Sequence, residues 1–402
     1  MIPYEEARVR VLEQVRPLSE TEETPVRDAL GMVLSKDISA PFHVPNHDNS
    51  AMDGYATLGA DLSTDAPVTL TVIADLPAGD RLTQTIQPGE AVRIMTGAPI
   101  PPGCDTVVMQ EVTQRDGDQV TIAPGARPGG HVRPAGEDLR AGETVLTRGT
   151  RLQPADLGLL TSLGFAKVPT YRKIRVGVLS TGNEVVEAGT PLKPGQVYDS
   201  NRTTLLAALT ALGVEVVDLG LVGDNLEATE AALKRGMEKS DALLSTGGVS
   251  VGDYDLVKVA LAKLGKIHFW KVAMKPGKPQ AYGQLGNCAF FGLPGNPVSG
   301  MVTYLTMVRP ALFKMMGTEP QSLRQVTAVY RGPDVKKKPG RLHFVRAQLH
   351  FEPDGLWVTS TGPQGSGILS SMSKANALMV LPEQIRTIQE GDKVETLLID
   401  YA

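Results

Sequence analysis

The sequence predicts an α/β protein with additional β-rich domains, in which a doubly wound, mostly parallel sheet forms the central domain. Three observations predict this class. After Lys173, strand-like apolar runs alternate with helical patterns, as expected for a parallel sheet with helices on both faces. The segment from Thr24 to Arg148 and the segment after Glu319 each contain short apolar runs between glycine, proline and aspartate. Such punctuation is typical of small β domains.

The N-terminal part combines one helix with a long β-rich stretch. Apolar residues recur at helical spacing from Tyr4 to Val15, and Pro17 ends that pattern. Beyond Thr24, apolar runs such as Pro67–Ile73 and Ala91–Met95 are separated by connections rich in glycine and proline. We expect this stretch to form more than one small domain.

The central domain begins with Ile174–Leu179, a continuous apolar run that is typical of a strand buried on both faces. A helical stripe of leucines follows from Asn201 and closes at Gly213. Further strands and helices alternate over Val214–Leu219, Leu226–Glu238, Ala242–Ser245, Asp255–Leu264, Ile267–Val272 and Phe290–Leu293. A long apolar helix runs to about Met316, and five short strands after Glu319 predict a small β-barrel or sandwich.

The composition excludes several classes of protein. With 42% hydrophobic and 21% charged residues the chain is ordinary for a globular protein. Its net charge of −4 argues against a chain that wraps nucleic acid or coats an anionic membrane. The charged N-terminus lacks a signal core, no stretch approaches the ~18 apolar residues of a membrane span, and two cysteines are too few for a disulfide framework. We expect a cytoplasmic protein that binds neither nucleic acid nor membrane.

Three loops rich in glycine and hydroxyl side chains follow strands of the central domain: Ser180–Glu184, Ser245–Gly252 and Gly292–Pro297. Ligands of open parallel sheets bind beyond the carboxyl ends of the strands, so these loops should meet at one edge. Backbone N–H groups, hydroxyls and helix N-termini suit phosphate. Any turn between a strand and a helix also needs glycine and serine, but three such loops at one edge favour a binding site. The residues expected to contact a phosphate-bearing substrate are Ser180, Thr181, Gly182, Ser245, Gly247, Gly248, Ser250, Pro294 and Asn296.

Carboxylates accompany these loops. Glu184 lies in the first loop, Asp224 follows the second strand and Asp255 follows the third. Beside a phosphate they would repel the ligand unless a hard cation lay between them, and Mg²⁺ is commonly held by one or two carboxylates together with phosphate oxygens. Helix capping is the alternative role, because Asp255 precedes an apolar helix and Asp224 stands three residues before Glu227, the spacing of a capping box. For Asp224 both roles remain open.

Outside the three loops, a turn held by prolines over Met274–Pro279 presents Lys275 and Lys278, which are suited to an oxyanion. A solvated surface turn is the alternative. The turn is not a Walker A loop, and the absence of HExxH, Cys-x-x-Cys and G-x-S-x-G motifs argues against zinc and serine hydrolases. Three residues of the N-terminal part look like turn residues when each is taken singly: Asp53, Thr96 and Asp138.

Taken together and in order, eight segments resemble the molybdopterin molybdenumtransferase family, the MoeA proteins, whose eukaryotic relatives include gephyrin. The segments are Asn49–Tyr55 (NSAMDGY), Arg93–Pro99 (RIMTGAP), Gly136–Asp138, Ser180–Glu184, Ser245–Gly252, Met274–Pro279, Leu293–Pro297 and Gly362–Ser366 (GPQGS). They are spread over essentially the whole chain, and although each is weak alone, the ordered set is highly specific. One departure is Asn183, where many members of that family have aspartate.

The resemblance implies a homodimer whose subunits have four domains. The implied boundaries are residues 1–45 with 144–171 for a discontinuous N-terminal domain, 46–143 for an inserted β-rich domain, 172–318 for a molybdopterin-binding α/β domain and 319–402 for a C-terminal β-barrel. It also implies that the active cleft lies between the α/β domain of one subunit and the inserted domain of its partner.

The reaction implied by the resemblance inserts molybdate into adenylylated molybdopterin, with Mg²⁺-dependent release of AMP. The site residues it implies are Asp53, Thr96 and Asp138 from the partner chain, Glu184, Asp255 and Asp224 at the metal, and Lys275, Lys278, Arg346 and Ser366 at the oxyanion. Two alternatives are the preceding adenylyl transfer to molybdopterin, whose enzymes typically lack flanking β domains, and a non-enzymatic scaffold. The adenylyltransferase of the same pathway is a candidate partner.

Overall fold

The computed structural model describes residues 1–247, 256–353 and 355–401. Its contacts divide the chain into two compact units. The first unit comprises Met1–Ser35, Gly149–Gln153 and Lys167–Ala402, and the second comprises Lys36–Arg148 and Pro154–Ala166. The four domains implied by the family resemblance divide the chain more finely, and their boundaries stay a prediction.

The helices and strands of the N-terminal part are, in chain order, α1 (Tyr4–Gln14), β1 (Thr21–Pro25), β2 (Ile38–Ser39), β3 (Asn49–Ser50), β4 (Gly54–Thr57), β5 (Val68–Leu76), β6 (Glu90–Ile94), β7 (Thr106–Met109), β8 (Thr113–Asp116), β9 (Gln119–Ile122), β10 (Val132–Arg133), β11 (Thr144–Leu146), α2 (Pro154–Ser162) and β12 (Lys167–Tyr171). The central elements are β13 (Arg175–Thr181), β14 (Val185–Val186), β15 (Val197–Tyr198), α3 (Ser200–Leu212), β16 (Glu215–Val222), α4 (Leu226–Lys239), β17 (Ala242–Thr246), α5 (Leu256–Leu264), β18 (Lys266–Lys271), β19 (Met274–Lys275), β20 (Pro279–Leu285), β21 (Cys288–Leu293), α6 (Pro297–Thr303) and α7 (Arg309–Met315). The C-terminal elements are β22 (Gln325–Tyr330), β23 (Val335–Lys336), β24 (Leu342–Glu352), β25 (Gly355–Ser360), α8 (Leu369–Ser373), β26 (Ala377–Leu381), β27 (Thr387–Ile388) and β28 (Lys393–Leu398).

The second unit is built around a six-stranded sheet in the order β7-β4-β6-β5-β9-β8. Only the β5–β6 pair is parallel. Neighbouring residues Tyr55 and Ala56 of β4 belong to two different apolar clusters, because successive side chains of a strand point to opposite faces of the sheet. The prediction that this part of the chain is β-rich is confirmed.

The central sheet of the first unit has the order β16-β13-β17-β21-β20-β18. Its first four strands are parallel, and β20 and β18 are antiparallel to their neighbours. Val178 packs with Leu209 of α3 on one face, and the next residue, Leu179, packs with Leu233 of α4 and Leu261 of α5 on the other. Helices therefore cover both faces, which confirms the doubly wound, mostly parallel sheet.

The strand predicted over Ile267–Val272 is present as β18, but it is mostly exposed rather than buried. The apolar run Ile267–Val272 predicts a buried strand, but β18 is an edge strand with mostly exposed side chains. It pairs antiparallel with β20, a strand that the apolar pattern does not indicate. The reason is the turn over Met274–Pro279, which reverses the chain at once instead of leading into a helical crossover, so the two strands must run in opposite directions.

The long apolar helix predicted after Pro297 is continuous. A π-helical turn over Tyr304–Val308 joins α6 to α7. Most of its side chains belong to the largest apolar cluster, where it contacts α1 and α3. In the described ranges no helix is long and apolar enough to cross a membrane.

The C-terminal strands close into a small barrel. The order β24-β25-β22-β28-β26 returns to its start because β26 also pairs with β24. The five strands enclose an apolar cluster that includes Val345, Val358 and Met379. Of the two predicted architectures, barrel and sandwich, the structure has the barrel. The short strand β19 pairs with the start of β24, through Met274 with Leu342 and Lys275 with His343.

Candidate active site

Four segments meet at the carboxyl edge of the parallel strands. Strands β13, β17 and β21 are neighbours, with Ser180 paired to Thr246 and Thr246 to Leu293. The three predicted loops therefore begin at the same level of the sheet. Strand β20 runs antiparallel and starts beside the end of β21, since Ala281 pairs with Gly292. The turn with the two lysines thus lies at this edge as well.

The loops approach one another closely through their backbones. The Gly247 N–H donates to the Leu293 carbonyl at 3.3 Å. Gly247 has a φ of +84°, and a Cβ there would lie 2.9 Å from the Thr181 carbonyl oxygen. Gly182 has a φ of +135°, and a Cβ there would lie 2.7 Å from a carboxylate oxygen of Glu184. Only glycine permits this backbone conformation and this proximity. Gly248 and Ser250, two further predicted contacts, lie outside the described residues.

The hydroxyls of the first two loops face the interior. Ser180 is 1% exposed, and its Oγ donates to Asp199 Oδ1 at 3.0 Å and shares a hydrogen bond of 2.8 Å with the Thr246 hydroxyl. The Thr181 hydroxyl donates to the Thr246 carbonyl at 3.2 Å. Ser245 is fully buried, and its hydroxyl has no partner among the described residues. The Ser180 and Thr181 hydroxyls therefore stabilise the loops from the inside, whereas the buried Ser245 hydroxyl makes no such contact. Contact of these three residues with a substrate stays a prediction.

The third loop is tied to the start of α3. Asn201 donates from Nδ2 to the Gly295 carbonyl at 2.7 Å. Pro294 is buried, whereas Asn296 is exposed at the N-cap position of α6. Asn296 therefore remains a candidate for substrate contact, and Pro294 supports the turn.

Sequence reasoning missed Asp199, which is buried and caps α3 by accepting from the Arg202 N–H at 3.0 Å. The sequence did contain a signal for it. An aspartate directly before the polar first turn of an otherwise apolar helix is typical of an N-cap.

The carboxylates of Glu184 in the first loop and of Asp224 between β16 and α4 are exposed. Asp224 donates its N–H to Asn183 Oδ1 at 2.9 Å and accepts from the Asn183 N–H at 3.3 Å. Helix α4 is capped by Asn225, whose Oδ1 accepts from the Ala228 N–H at 2.9 Å. The capping role considered for Asp224 is therefore wrong, since the neighbouring side chain performs it. Asp255 lies outside the described residues.

The donor chemistry at this edge fits a hard cation. Glu184 and Asp224 supply exposed carboxylate oxygens from adjacent loops. Within residues 1–247, 256–353 and 355–401 no three histidine, cysteine, aspartate or glutamate side chains form a metal-binding group. A site with two carboxylates suits Mg²⁺, which takes its remaining ligands from phosphate oxygens and water.

The lysine turn presents two cations on a fixed backbone. The side chains of Lys275 and Lys278 are exposed, and neither forms an ion pair with any described carboxylate. The Gly277 carbonyl accepts from Gln280 Nε2 at 2.6 Å, and the Lys278 carbonyl accepts from the Val272 N–H at 2.8 Å. Two lysines without carboxylate partners keep their charge available to an anion.

His343 lies beside this turn, where its strand position pairs with Lys275. It is 7% exposed, and its Nε2 has no hydrogen-bond partner among the described residues. Burial, with smaller effects from the cations Lys337, Lys275 and Arg341, lowers the pKa of His343 to about 4. The histidine is therefore neutral at pH 7, and the charge at this corner is carried by the lysines.

Arg346 is a buried cation of the C-terminal barrel. The residue is 1% exposed, and its guanidinium donates to Ser371 Oγ at 3.0 Å and to the carbonyls of Gly365, Gln364 and Pro363 at 2.9, 3.3 and 3.4 Å. Burial lowers its pKa to about 10. Arg346 thus lies beneath the GPQGS loop and holds it from the inside, and its contact with an oxyanion stays a prediction.

Ser366 is partly exposed at the end of that loop. Its carbonyl accepts from the Val298 N–H at 3.1 Å, which joins the barrel loop to the first turn of α6. Gln364 strengthens the loop by accepting from the Arg346 N–H at 2.9 Å and donating to the Gly362 carbonyl at 2.9 Å. The predicted Ser366 is thereby placed next to the third loop of the sheet.

In the second unit, two predicted residues contact each other. Asp53 Oδ1 accepts from the Thr96 N–H at 2.8 Å and from the Thr96 hydroxyl at 2.7 Å. These two hydrogen bonds lower the pKa of Asp53. Asp138 is exposed on another segment, where its N–H donates to the Val44 carbonyl at 2.9 Å. In the described part of this unit no hydrogen bond or ion pair joins Asp138 to Asp53 or Thr96.

Comparisons with known proteins agree over nearly the whole chain. Three family models match: the MoeA N-terminal region (domain I and II) over residues 2–164, the probable molybdopterin binding domain over 177–314, and the MoeA C-terminal region (domain IV) over 330–399. A molybdopterin molybdenumtransferase from Haemophilus influenzae is 41% identical over 396 residues, 98% of this chain and 98% of that protein. One from Bacillus subtilis is 36% identical over 99% of this chain and 94% of that protein.

A solved structure shows the same architecture. The crystal structure of the molybdopterin biosynthesis MoeA protein from Pyrococcus horikoshii OT3 matches with a TM-score of 0.86 at 30% identity, covering 99% of this chain and 100% of that chain. The ordered motifs, the doubly wound sheet and the C-terminal barrel all agree with these matches. The chain therefore belongs to the molybdopterin molybdenumtransferase family, the MoeA proteins.

Proposed function

We propose that this protein inserts molybdate into adenylylated molybdopterin and releases AMP. The observation that carries the proposal is the convergence of three loops and the lysine turn at one edge of the parallel sheet. Glycine-rich backbone and a helix N-terminus suit the phosphates of the substrate. Lys275 and Lys278 suit molybdate, a dianion that needs fixed cations. Full-length similarity to curated molybdopterin molybdenumtransferases supports the same reaction.

The residues would contribute mainly by positioning. Cleavage of the phosphoanhydride consumes one water molecule, whose oxygen joins one phosphorus while the bridging oxygen leaves with the other phosphate. Insertion of molybdate forms two Mo–S bonds, and one molybdate oxygen leaves as water with the two protons of the dithiol. The first and third loops would hold the phosphates, and Lys275, Lys278 and Ser366 would hold molybdate near the substrate's sulfur atoms. Fixing both reactants in one site converts an encounter in solution into a step within a complex, which is where most of the rate gain is expected. Arg346 would act indirectly, through the loop that it supports.

Mg²⁺ is part of this proposal. Glu184 and Asp224, together with Asp255, would hold the ion, and their oxygens are the donor type that it prefers. The bound ion would neutralise charge on the phosphate oxygens as AMP leaves. Tungstate is a competing oxyanion of the same shape, and a direct comparison of the two would establish the preference.

A homodimer in the cytoplasm is also proposed, with Asp53, Thr96 and Asp138 of one chain completing the site of the other. Asp53 is held by two hydrogen bonds from Thr96, and its carboxylate would orient water. The enzyme that adenylylates molybdopterin is the proposed partner upstream, because its product is the substrate of this reaction.

The first test measures AMP release from adenylylated molybdopterin, with and without molybdate and with and without Mg²⁺. We expect release to require both, and we expect Glu184→Gln to lower the rate at least about a hundredfold. Glu215→Gln is the matched control, since Glu215 is an exposed glutamate at the opposite edge of the sheet. Absence of release in the wild type, with formation of the adenylylated species from ATP and molybdopterin, would instead assign the preceding step.

A second test addresses the shared site. Asp53→Asn and Glu184→Gln homodimers should both be inactive. If each site takes residues from two chains, a mixture of the two variants after subunit exchange regains roughly a quarter of the wild-type sites, since half of the dimers are mixed and each mixed dimer has one intact site. No recovery, with subunit exchange verified by mass spectrometry, contradicts the shared site.

A further inference from the structure

The segment between β13 and α3 contains Glu184, and apolar packing does not hold it in place. None of residues 187–198 is buried. The segment returns to its own start through the short parallel strand pair β14–β15. Two backbone hydrogen bonds flank this pair, from the Val197 N–H to the Glu184 carbonyl at 2.8 Å and from the Asp199 N–H to the Val186 carbonyl at 2.9 Å. With so little buried apolar surface, polar contacts at its base must determine where the segment lies.

Asp199 forms that base. Its side chain is 3% exposed. Oδ1 accepts from the Ser180 hydroxyl at 3.0 Å and from the Arg202 N–H at 3.0 Å, and Oδ2 accepts from Arg202 Nε at 3.1 Å. The end of the segment is thereby joined to the end of β13 and to the first turn of α3.

Arg202 connects three parts of the chain. Its side chain is 12% exposed. Besides Asp199 it binds both carboxylate oxygens of Asp218 in β16 from Nη1, at 2.9 and 2.7 Å, and Glu187 of the segment from Nη2. A planar guanidinium with five donors satisfies three carboxylates at once, whereas a lysine ammonium is a point charge that cannot reach all three in this geometry.

We infer that Asp199 and Arg202 are positioning residues for Glu184: they close the 184–198 segment onto the sheet and so place the carboxylate predicted to bind Mg²⁺. The inference rests on the proposed function only for the role of Glu184. Neither residue touches the reacting atoms. The sheet beneath has its own apolar core around Val178 and Leu209, so loosening the segment should displace Glu184 without unfolding the domain.

The test compares Arg202→Lys with the wild type by amide hydrogen exchange and by the Mg²⁺ concentration that gives half-maximal AMP release. We expect exchange at the Val197 and Asp199 amides to become at least about tenfold faster. We expect the half-maximal Mg²⁺ concentration to rise about tenfold while the rate at saturating Mg²⁺ stays within about twofold. Arg175→Lys is the matched control. Arg175 lies at the start of β13, the strand that leads into the segment, and it pairs there with Asp241.

Unchanged exchange at both amides in Arg202→Lys would overturn the inference. Faster exchange with an unaltered Mg²⁺ requirement would overturn the role toward Glu184 and leave a purely structural one. If Arg202→Lys fails to fold, Glu187→Gln removes only the exposed contact to the segment and should accelerate the same amides by a smaller factor. A wild-type protein without AMP release would refute the proposed function, and the exchange result would still decide the inference.

Discussion

Replacing Arg346 offers a sharp test of how a buried cation supports the barrel loop. The guanidinium makes two short hydrogen bonds, to Ser371 and the Gly365 carbonyl, and two longer ones. At about 1.5 kcal/mol for each short bond from a charged donor and about half that for each long one, the four contribute about 4–5 kcal/mol. Burial of the charged guanidinium without a carboxylate partner opposes these hydrogen bonds. It lowers the pKa of Arg346 from 12.5 to about 10, and this shift corresponds to a destabilisation of the charged side chain by about 3 kcal/mol.

These two magnitudes predict an unusual order of stability. Arg346→Met loses the hydrogen bonds but also removes the buried charge, so we expect the barrel to lose only about 1–2 kcal/mol. Arg346→Lys keeps the buried charge and loses the fork of donors, so we expect a loss of about 3–4 kcal/mol. The chemically conservative substitution should therefore be the more harmful one. Both variants free the 362–366 loop, and both should raise the molybdate concentration needed for half-maximal AMP release at least about tenfold.

The assay is urea unfolding followed by tryptophan fluorescence. The chain has two tryptophans, so a Trp270→Phe background leaves Trp357, in barrel strand β25, as the only reporter. Both Arg346 variants are compared with this background protein and with Arg324→Lys, a mostly exposed control in the same half of the chain. An Arg346→Lys protein more stable than Arg346→Met would refute this balance between desolvation and hydrogen bonding.

Three further perturbations test other parts of the molecule. Thr96→Val removes one of the hydrogen bonds that lower the pKa of Asp53, so that pKa should rise in a ¹³C NMR titration; an unchanged value would mean that the backbone N–H alone determines it. His343 has a folded pKa of about 4 against 6.5 in the unfolded chain, so the unfolded state binds the proton first and stability should fall by up to about 3 kcal/mol as pH drops from 6.5 to 4. His343→Leu should remove this dependence in urea titrations at several pH values, and a wild-type stability that is flat over this range would contradict the low pKa. Gly277→Ala places a Cβ 2.7 Å from the Thr303 hydroxyl at a φ of +103°, which should cost about 1–3 kcal/mol and weaken molybdate binding; unaltered thermal unfolding would exclude that strain.

Much of the fold could be predicted because burial leaves a regular pattern. A strand covered on both faces must be apolar throughout, and Arg175–Thr181 is such a strand. The helix over Ser200–Leu212 was visible from its leucine stripe and from Gly213, which is its left-handed C-cap at a φ of +87°. The edge strand β18 was misjudged because its partner is determined by a turn rather than by its own residues.

The candidate site could be predicted in outline only. The loops were found because parallel strands place their carboxyl ends together, and the structure brings Ser180, Thr246 and Leu293 to one level. The direction of each side chain was not predictable. Serine hydroxyls that suit phosphate suit an internal aspartate equally well, and Ser180 binds Asp199. Helix α4 is capped by Asn225 and not by the preceding Asp224, and the sequence pattern does not locate a cap to within one residue.

By itself the sequence determined the class of fold, the order of the elements and the family, because periodicity, turn residues and ordered motifs are properties of neighbouring positions. Tertiary structure alone decided which polar groups face a ligand and which face the interior. Arg346 is directed to the Gly365 carbonyl nineteen residues away, and Asp53 is held by Thr96 at a separation of 43 residues. A polar side chain can satisfy its hydrogen bonds in several ways, and the partner that the fold brings to it determines which one is realised.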